Sequence, residues 1–455
     1  GSAADQKRED DPEPVLHARP PPRLLIQWCT TREGRWRQAV IMVPPEVFDP
    51  AALRQNLWAM NERSSSMDGR HRAAYTVIIL FGIVSLFGDI IYEGARSVAG
   101  PYLYILGAGA LAVGVVAGLG EFLGYALRLV SGYLADTTRH YWAITFIGYG
   151  MLAAVPLLAL AGSWEGAALL LILERVGKGI RVPARDAILA NATATVGRGW
   201  GFAVHEALDQ VGAIIGPLIF AAIFLAEGDY RGGFALLAIP FVLMILALLV
   251  ARRRAPEPAS LEAGGPAIQG TALPGSLLPY GVFTALTMAG FAAFPVIAYH
   301  FTVTGTVSGA EIPFFYAVAM GVDAVAALAI GRAYDRFGLV TLLSVPLLAI
   351  GIPFLAFGTS YALALAAVLL WGAAMGAQET ILRAAVADYT HISKRGTAYG
   401  IFNTIYGAAW FVGSAVIGWA YTVAVPLVVG FLVVMQVGAL AAFAWMRRGF
   451  AAPAG

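Results

Sequence analysis

The chain has 455 residues, of which 59% are hydrophobic and only 13% are charged, and its formal net charge at pH 7 is +2. Soluble domains carry about 25% charged residues, so this composition excludes an ordinary soluble protein and indicates a polytopic membrane protein. The small net charge gives no reason to expect nucleic-acid binding, and the single cysteine, Cys29, cannot form an internal disulfide.

The first 70 or so residues are polar and contain no visible secretory signal peptide. Residues 1–22 are dominated by proline and mixed charge, which predicts disorder. Residues 23–66 are expected to form a cytoplasmic extension, in which "RLLIQWCTT" and "WRQAVIMV" pair as strands and a helix begins at Pro50. Such a ββα unit is small for independent stability, and a flexible cytoplasmic tail is the alternative.

Twelve apolar stretches follow, each of about the 20 residues that a helix needs to cross a bilayer. Helices are expected because hydrocarbon offers no partner to free backbone groups. The sequence therefore predicts an all-α membrane protein. The predicted spans lie near 74–100, 108–134, 141–162, 166–190, 199–225, 232–251, 278–303, 310–331, 338–358, 361–386, 397–422 and 424–446.

Segment 252–277 is rich in proline, glycine and alanine and has no apolar periodicity. It is predicted to be a cytoplasmic linker between two six-helix halves, 74–251 and 278–448. Lysine and arginine gather in the loops on one side of this bundle, and the other side carries only Arg231. Because basic loops stay in the cytoplasm, we expect a multi-pass protein of the cell's inner membrane with both termini inside.

Two features repeat between the halves. The Arg-Gly pair at 198–199 recurs at 395–396, and the loop "GYLADTTRH" (132–140) has a counterpart in "GRAYDRFG" (331–338). Each loop has a glycine, three further residues, an aspartate and then an arginine. These residues are Gly132, Asp136 and Arg139 in the first loop and Gly331, Asp335 and Arg336 in the second.

With twelve spans and a central linker, the chain resembles the major facilitator superfamily, whose signature loop is G-x-L-A-D-[RK]-x-G-[RK]. The resemblance covers 74–448 and implies two pseudo-symmetric halves that transport a small molecule by alternating access. The first loop departs from the signature, because Thr137 and Thr138 replace a basic residue and its neighbour and no glycine precedes Arg139.

The resemblance also implies a lock of the outward-open state. Asp136 is expected at the start of the eleventh helix, near Gly396 and Thr397, where the helix dipole attracts an anion. Arg139 is then expected near Asp186, with Arg185 beside it. By the repeat, Asp335 approaches the start of the fifth helix near Gly199, and Arg336 approaches Asp388.

The fourth predicted span carries Arg175, Lys178, Arg181 and Arg185. At about 100° per residue these fall within an arc of roughly 120°, so they form a stripe that faces a water-filled path or other helices. Arg181 and Arg185 could instead serve the cytoplasmic end of the helix. Arg175 lies near mid-depth, and "RVGKG" (175–179) matches a family pattern whose arginine is implied in proton coupling.

Carboxylates are available to this stripe. Asp89 and Glu93 share one face of the first helix, and Glu121 lies near mid-depth in the second. A carboxylate whose surroundings change with conformation can bind and release a proton, so Asp89, Glu93, Glu121 and Arg175 are the predicted coupling residues. The alternative is a static ion-pair network that holds the N-terminal half together.

Other polar residues within the spans are expected to line the substrate cavity, although packing explains several of them equally well. Asn403, Tyr406 and Trp410 are spaced by three and four, which places them on one helix face. The predicted cavity residues are Arg96, Lys178, Glu206, Asp209, Asp323, Asn403, Tyr406 and Trp410.

The leading hypothesis is a proton-coupled exporter of small organic molecules, supported by "GAIIGP" (212–217), which resembles a core motif of family antiporters. An importer of organic anions and a non-transporting membrane sensor are the alternatives. The sequence has no phosphate loop, H-E-x-x-H metal site or G-x-S-x-G nucleophile turn, so no enzyme activity is predicted. We expect a monomer that is embedded in the lipid bilayer and uses the proton gradient. No cofactor or metal is expected.

Overall fold

The structure is a computed structural model that describes the backbone of residues 23–30, 36–43, 50–196, 198–226, 228–255, 277–389 and 395–451. Side chains are described within 74–190, 192–193, 204–226, 228–255, 278–386 and 398–447. The predicted disorder of residues 1–22 and most of the predicted linker therefore lie outside the described residues.

The chain divides into two compact units, residues 1–69 and 70–455. In the first unit, β1 (Arg23–Thr30) pairs antiparallel with β2 (Trp36–Val43), so that Arg23 lies opposite Val43 and Thr30 opposite Trp36. The helix α1 begins at Pro50, where a proline is favourable because the first helical residue needs no hydrogen-bonded N–H. Whether this unit is an independent cytoplasmic domain stays a prediction.

The described residues of the second unit are almost entirely helical, as the apolar spans predict. Long helices alternate with shorter ones that are joined by single turns of 3-10 helix. The helices of the N-terminal half are α1 (Pro50–Ile105), α2 (Ala110–Thr138), α3 (Tyr141–Gly150), α4 (Ala154–Leu157), α5 (Trp164–Val196), α6 (Arg198–Leu225), α7 (Tyr230–Leu236) and α8 (Ala238–Arg254).

The C-terminal half repeats this pattern of long and interrupted helices. Its helices are α9 (Leu277–Ala289), α10 (Phe294–Thr304), α11 (Glu311–Phe337), α12 (Ser344–Ala349), α13 (Ile352–Ala356), α14 (Tyr361–Tyr389), α15 (Arg395–Val423) and α16 (Val425–Ala451).

Within the described residues, ten helical stretches are long and apolar enough to cross a membrane. One of them, Glu311–Ala356, has 46 residues and covers two of the spans expected from the sequence. The helix α5 is not among the ten because its charged stripe lowers its hydropathy. A multi-pass membrane protein is thus confirmed, and the number twelve stays a prediction.

The two halves meet along α2 and α15. Gly118 of α2 packs on the backbone of Phe411, and Gly418 of α15 packs on the backbone of Ala110 and Leu111. Small residues let two helix backbones approach closely, so these glycines allow the short distance between α2 and α15. A second contact between the halves joins α6 to α11.

A third contact closes the end of the bundle away from Arg139. Gly100 of α1 lies against the backbone carbonyl of Pro295, the second residue of α10. A side chain at Gly100 would collide with this carbonyl. The close approach of α1 and α10 therefore depends on a glycine at that position.

Gly100→Val is expected to separate α1 from α10 and to disfavour the conformation described. Spin labels on exposed Ile105 and Val303, in a Cys29→Ser background, should report a longer distance in this variant than in its parent. Gly430→Val is the matched control, because open space surrounds Gly430. An unchanged distance distribution in Gly100→Val would show that this contact does not control the closure.

Candidate functional site

Two arginines from different helices meet at the Glu121 carboxylate of α2. Arg96 Nη2 of α1 lies 3.2 Å from Glu121 Oε1, and Arg175 Nη1 of α5 lies 3.4 Å from the same oxygen. All three side chains are largely buried, with 5%, 10% and 12% exposure for Arg96, Glu121 and Arg175. The structure thus brings Arg175 to one of the carboxylates that the sequence predicts for it.

The pairing continues on both sides of Glu121. Arg96 Nη1 lies 3.8 Å from Glu93 Oε1, while Arg175 Nε lies 3.4 Å from Glu174 Oε2. Arg181 Nη2 extends the series, at 3.8 Å from Glu174 Oε1. We call these six residues the ion-pair chain, and they are Glu93, Arg96, Glu121, Glu174, Arg175 and Arg181. The three positive and three negative charges give the ion-pair chain a net charge of zero, as burial requires.

One end of the ion-pair chain is held by the other half of the protein. The Tyr316 hydroxyl of α11 donates a hydrogen bond of 2.5 Å to Glu93 Oε2, and Tyr316 is fully buried. The ion-pair chain is therefore connected to the C-terminal half as well and does more than hold the N-terminal half together.

Tyr92 forms a platform for the cations of α5. The Arg175 guanidinium lies 4.0 Å from the centre of its ring and the Lys178 ammonium lies 3.8 Å from it. Arg96 Nη1 donates to the Tyr92 hydroxyl at 3.1 Å. Among the described residues, no carboxylate lies within 4.0 Å of the Lys178 ammonium, so Lys178 is a cation held by an aromatic face and available to an anion.

Lys178 lines a polar cavity, which we call the charged cavity. Five cations and five carboxylates line it, so that both signs of charge face one space. The cations are Arg128, Lys178, Arg181, Arg185 and Arg383, and the carboxylates are Asp89, Asp186, Glu206, Asp209 and Glu379. Such a wall can bind a polar molecule that carries charge of either sign.

An opening of about 1280 Å³ lies beside the charged cavity at the end of the bundle where α2 ends. It shares Arg128, Val182, Asp186 and Arg383 with the charged cavity. Residues expected from the signature loop also line it, namely Gly132 and Asp136, together with Asn403 of α15. The charged cavity is therefore reached from the Arg139 end of the bundle.

A smaller and mostly apolar cavity lies further along the same helices, toward Gly100. Ala99, Leu103 and Pro295 contribute to its apolar wall, and Arg96, Glu121, Glu174 and Arg175 contribute its charged groups. Four members of the ion-pair chain line this cavity and a fifth, Arg181, lines the charged cavity, so the ion-pair chain lies between the two cavities.

Three of the remaining residues predicted for the substrate site lie outside the charged cavity. Tyr406 packs against Tyr125 at 4.7 Å between tilted rings, and the Trp410 ring centre lies 5.7 Å from the Arg96 guanidinium. Both are buried and act in packing between α2, α15 and α1. Asp323 lies at the contact between α6 and α11, where Gln210 Nε2 donates to its Oδ2 at 3.3 Å.

Arg185 pairs with its neighbour Asp186, at 2.9 Å between Nη2 and Oδ1. Its Nη1 also donates to Ser85 Oγ at 3.3 Å, and that oxygen lies 2.8 Å from His205 Nε2. Arg185 thus ties α5 to α1 and α6, a role that its position on the stripe does not reveal.

The expected lock residues occupy the ends of α2 and α11. Arg139 adopts a left-handed conformation, φ 57°, and its N–H bonds to the Ala135 carbonyl, which ends α2. Asp335 and Arg336 lie in the last turns of α11, and Gly331 packs on Thr380. The side chains of Asp388 and Thr397 lie outside the described residues. The lock contacts stay predictions for the outward-open state.

Comparison with known proteins identifies the family. The Major Facilitator Superfamily model matches residues 80–414 and 280–453. An uncharacterised protein of Mycobacterium tuberculosis is 43% identical over 389 residues, which is 84% of this chain and 95% of that protein. An uncharacterised MFS-type transporter of Methanocaldococcus jannaschii is 33% identical over 167 residues, 36% of this chain and 40% of its own length.

Solved structures share the fold. The nucleoside transporter NupG aligns with a TM-score of 0.63 at 14% identity, over 82% of this chain and 99% of its own. A bacterial homologue of the human lysosomal transporter Spinster, inward-facing and occupied, aligns with a TM-score of 0.62 at 15% identity, over 82% of this chain and 96% of its own. The chain therefore belongs to the major facilitator superfamily and is a multi-pass membrane transporter rather than an enzyme.

Proposed function

We propose that this transporter is a proton-coupled exporter of small organic molecules. The observation that carries the proposal is the charged cavity, which opens at the Arg139 end and stops at the ion-pair chain. The basic loops at that end support a cytoplasmic position for it and for both termini. Substrate would therefore enter the charged cavity from the cytoplasm, as an exporter requires.

Proton coupling is supported by carboxylates that share this cavity with the cations of α5. Asp89 and Asp209 line the cavity, and neither has a cation within 4.0 Å among the described side chains. A proton and a positively charged substrate group would compete for such carboxylates, and linkage makes each weaken the binding of the other. Glu93, Glu121 and Arg175 would transmit this competition, because the ion-pair chain reaches the opposite half through Tyr316.

An importer of organic anions is the second candidate, and one observation favours it. Lys178 faces the charged cavity from the ring of Tyr92, with no carboxylate within 4.0 Å in the described part of the chain. A substrate carboxylate or phosphate would find a cation there without displacing an internal partner.

Either transporter would work as a monomer in the cell's inner membrane by alternating access. The predicted contacts of Asp136 with the start of α15, and of Arg139 with Asp186, would form when the cytoplasmic opening closes. Their counterparts in the second half, Asp335 and Arg336, would form the equivalent contacts at the same time.

The test uses purified protein in liposomes that contain a pH-sensitive dye, screened against a chemically broad ligand set. At least one small polar organic molecule should bind and change the internal pH in proportion to its flux. Ligands that bind without any proton movement would favour the non-transporting sensor and contradict the proposal. Protein-free liposomes control for passive leakage.

A further inference from the structure

Asp323 of α11 is a buried acid at the contact between the two halves. Its residue exposure is 3%, and its Oδ2 accepts a hydrogen bond of 3.3 Å from Gln210 Nε2 of α6. Its Oδ1 is buried and has no hydrogen-bond partner. One carboxyl oxygen of Asp323 is therefore bridged to the opposite half and the other is unsatisfied.

The charged groups around Asp323 are acidic. Glu206 on α6, Glu379 on α14 and Glu93 on α1 all lie near enough to act on it electrostatically. No cation lies within 4.0 Å of its carboxyl group among the side chains that the structure describes. Arg383 acts on Glu379, and Arg96 pairs with Glu93, so these nearby cations are directed to other acids.

Asp323 differs in this respect from the acids of the ion-pair chain. Glu93, Glu121 and Glu174 each lie within 4.0 Å of a guanidinium, which balances their charge. A buried carboxylate without a cation is costly, and such a group becomes neutral instead. A proton on Oδ1 would remove the charge and leave Oδ2 free to accept the hydrogen bond from Gln210.

A metal ion is the other way to neutralise such a group. Among the described residues there is no group of three or more histidine, cysteine, aspartate or glutamate side chains placed to hold one. The partner of Asp323 is also the donating amide nitrogen of Gln210, which would oppose a cation at the same oxygen. The local chemistry favours a proton.

We infer that Asp323 is a proton-binding residue at the interface of the halves, whose proton binding is linked to the contact between α6 and α11. This inference rests on the proposed proton coupling and names the group that carries the proton. Tyr316 lies two turns before Asp323 on α11 and binds Glu93. Movement of α11 would therefore release the proton site and the end of the ion-pair chain together.

The test compares Asp323→Asn with the wild type in liposomes, using a substrate found by the dye screen. The asparagine mimics the neutral acid, so exchange of substrate for substrate should continue while accumulation driven by a pH gradient falls at least about tenfold. The pH dependence of exchange should also flatten. Glu311→Gln is the matched control, because Glu311 is an acid at the exposed start of the same helix. Its carboxylate accepts hydrogen bonds from the Ser308 N–H and the Tyr361 hydroxyl.

Asp323→Glu provides a second variant if the asparagine protein does not fold. It keeps an acid at the interface on a longer side chain, so proton-driven accumulation should persist with a shifted pH profile. A wild-type pH profile in Asp323→Glu, or full proton-driven accumulation in Asp323→Asn, would overturn the inference while leaving the proposed function intact. Accumulation by the wild type with a sodium gradient alone would overturn both the proton site and the proton coupling.

Discussion

Arg175→Gln is expected to abolish transport and to lower stability, and Glu121→Gln should restore the stability when it is added. The single change leaves the ion-pair chain with one uncompensated negative charge, and breaking a buried ion pair costs about 3–5 kcal/mol. In the double variant both members of the 3.4 Å pair are neutral amides, so the charge is balanced again. Thermal unfolding in detergent and uptake in liposomes measure the two effects.

Transport should stay absent in the double variant, because the connection from α5 through Arg96 and Glu93 to Tyr316 is interrupted. Arg253→Gln is the matched control, since Arg253 is exposed at the end of α8. Equal melting temperatures in the single and the double variant would contradict the charge-balance explanation. Normal transport by Arg175→Gln would remove the ion-pair chain from the coupling mechanism.

Lys178→Gln is expected to weaken the binding of substrates that carry an anionic group and to spare neutral ones. A hydrogen bond to a charged group contributes about 1.5–3 kcal/mol, which corresponds to roughly a 10–100-fold change in Kd. The ammonium lies over Tyr92 and has no carboxylate within 4.0 Å among the described side chains, so its removal breaks no close ion pair. Calorimetric titration with an anionic and a neutral ligand of similar size measures the difference.

Lys178→Arg is the control for this prediction, because it keeps a cation over the ring of Tyr92. A selective loss of anion binding in Lys178→Gln that Lys178→Arg does not show would favour the importer of organic anions. Equal effects on both ligands would show that Lys178 acts through packing on Tyr92.

Much of the fold follows from the sequence because a bilayer permits few alternatives. Apolar length predicts where α2, α6 and α14 lie, and the four cations of α5 lie on one face as the helical period requires. The pairing of Arg175 with Glu121 could be predicted from the sequence, since both residues are expected near mid-depth. The charge stripe also explains why α5 is absent from the apolar spans.

Other features of the site depend on tertiary packing and have no local signal. Tyr92 and Tyr316 resemble core aromatics in the sequence, yet they bind the cations of α5 and the carboxylate of Glu93. Tyr406 and Trp410 share a helix face, but the period does not show which neighbour covers that face. Gln210 follows Asp209 in the chain, and only the contact of α6 with α11 reveals its bond to Asp323.

Proton-driven accumulation in liposomes tests the proposed coupling most directly. Wild-type protein is reconstituted with the substrate outside, and a pH gradient is imposed with the acidic side inside. If the protein exchanges substrate for protons, the substrate should accumulate inside above its external concentration, and a protonophore should return it to equilibrium. Equilibration to the external concentration at the same rate with and without the gradient would contradict proton-coupled export.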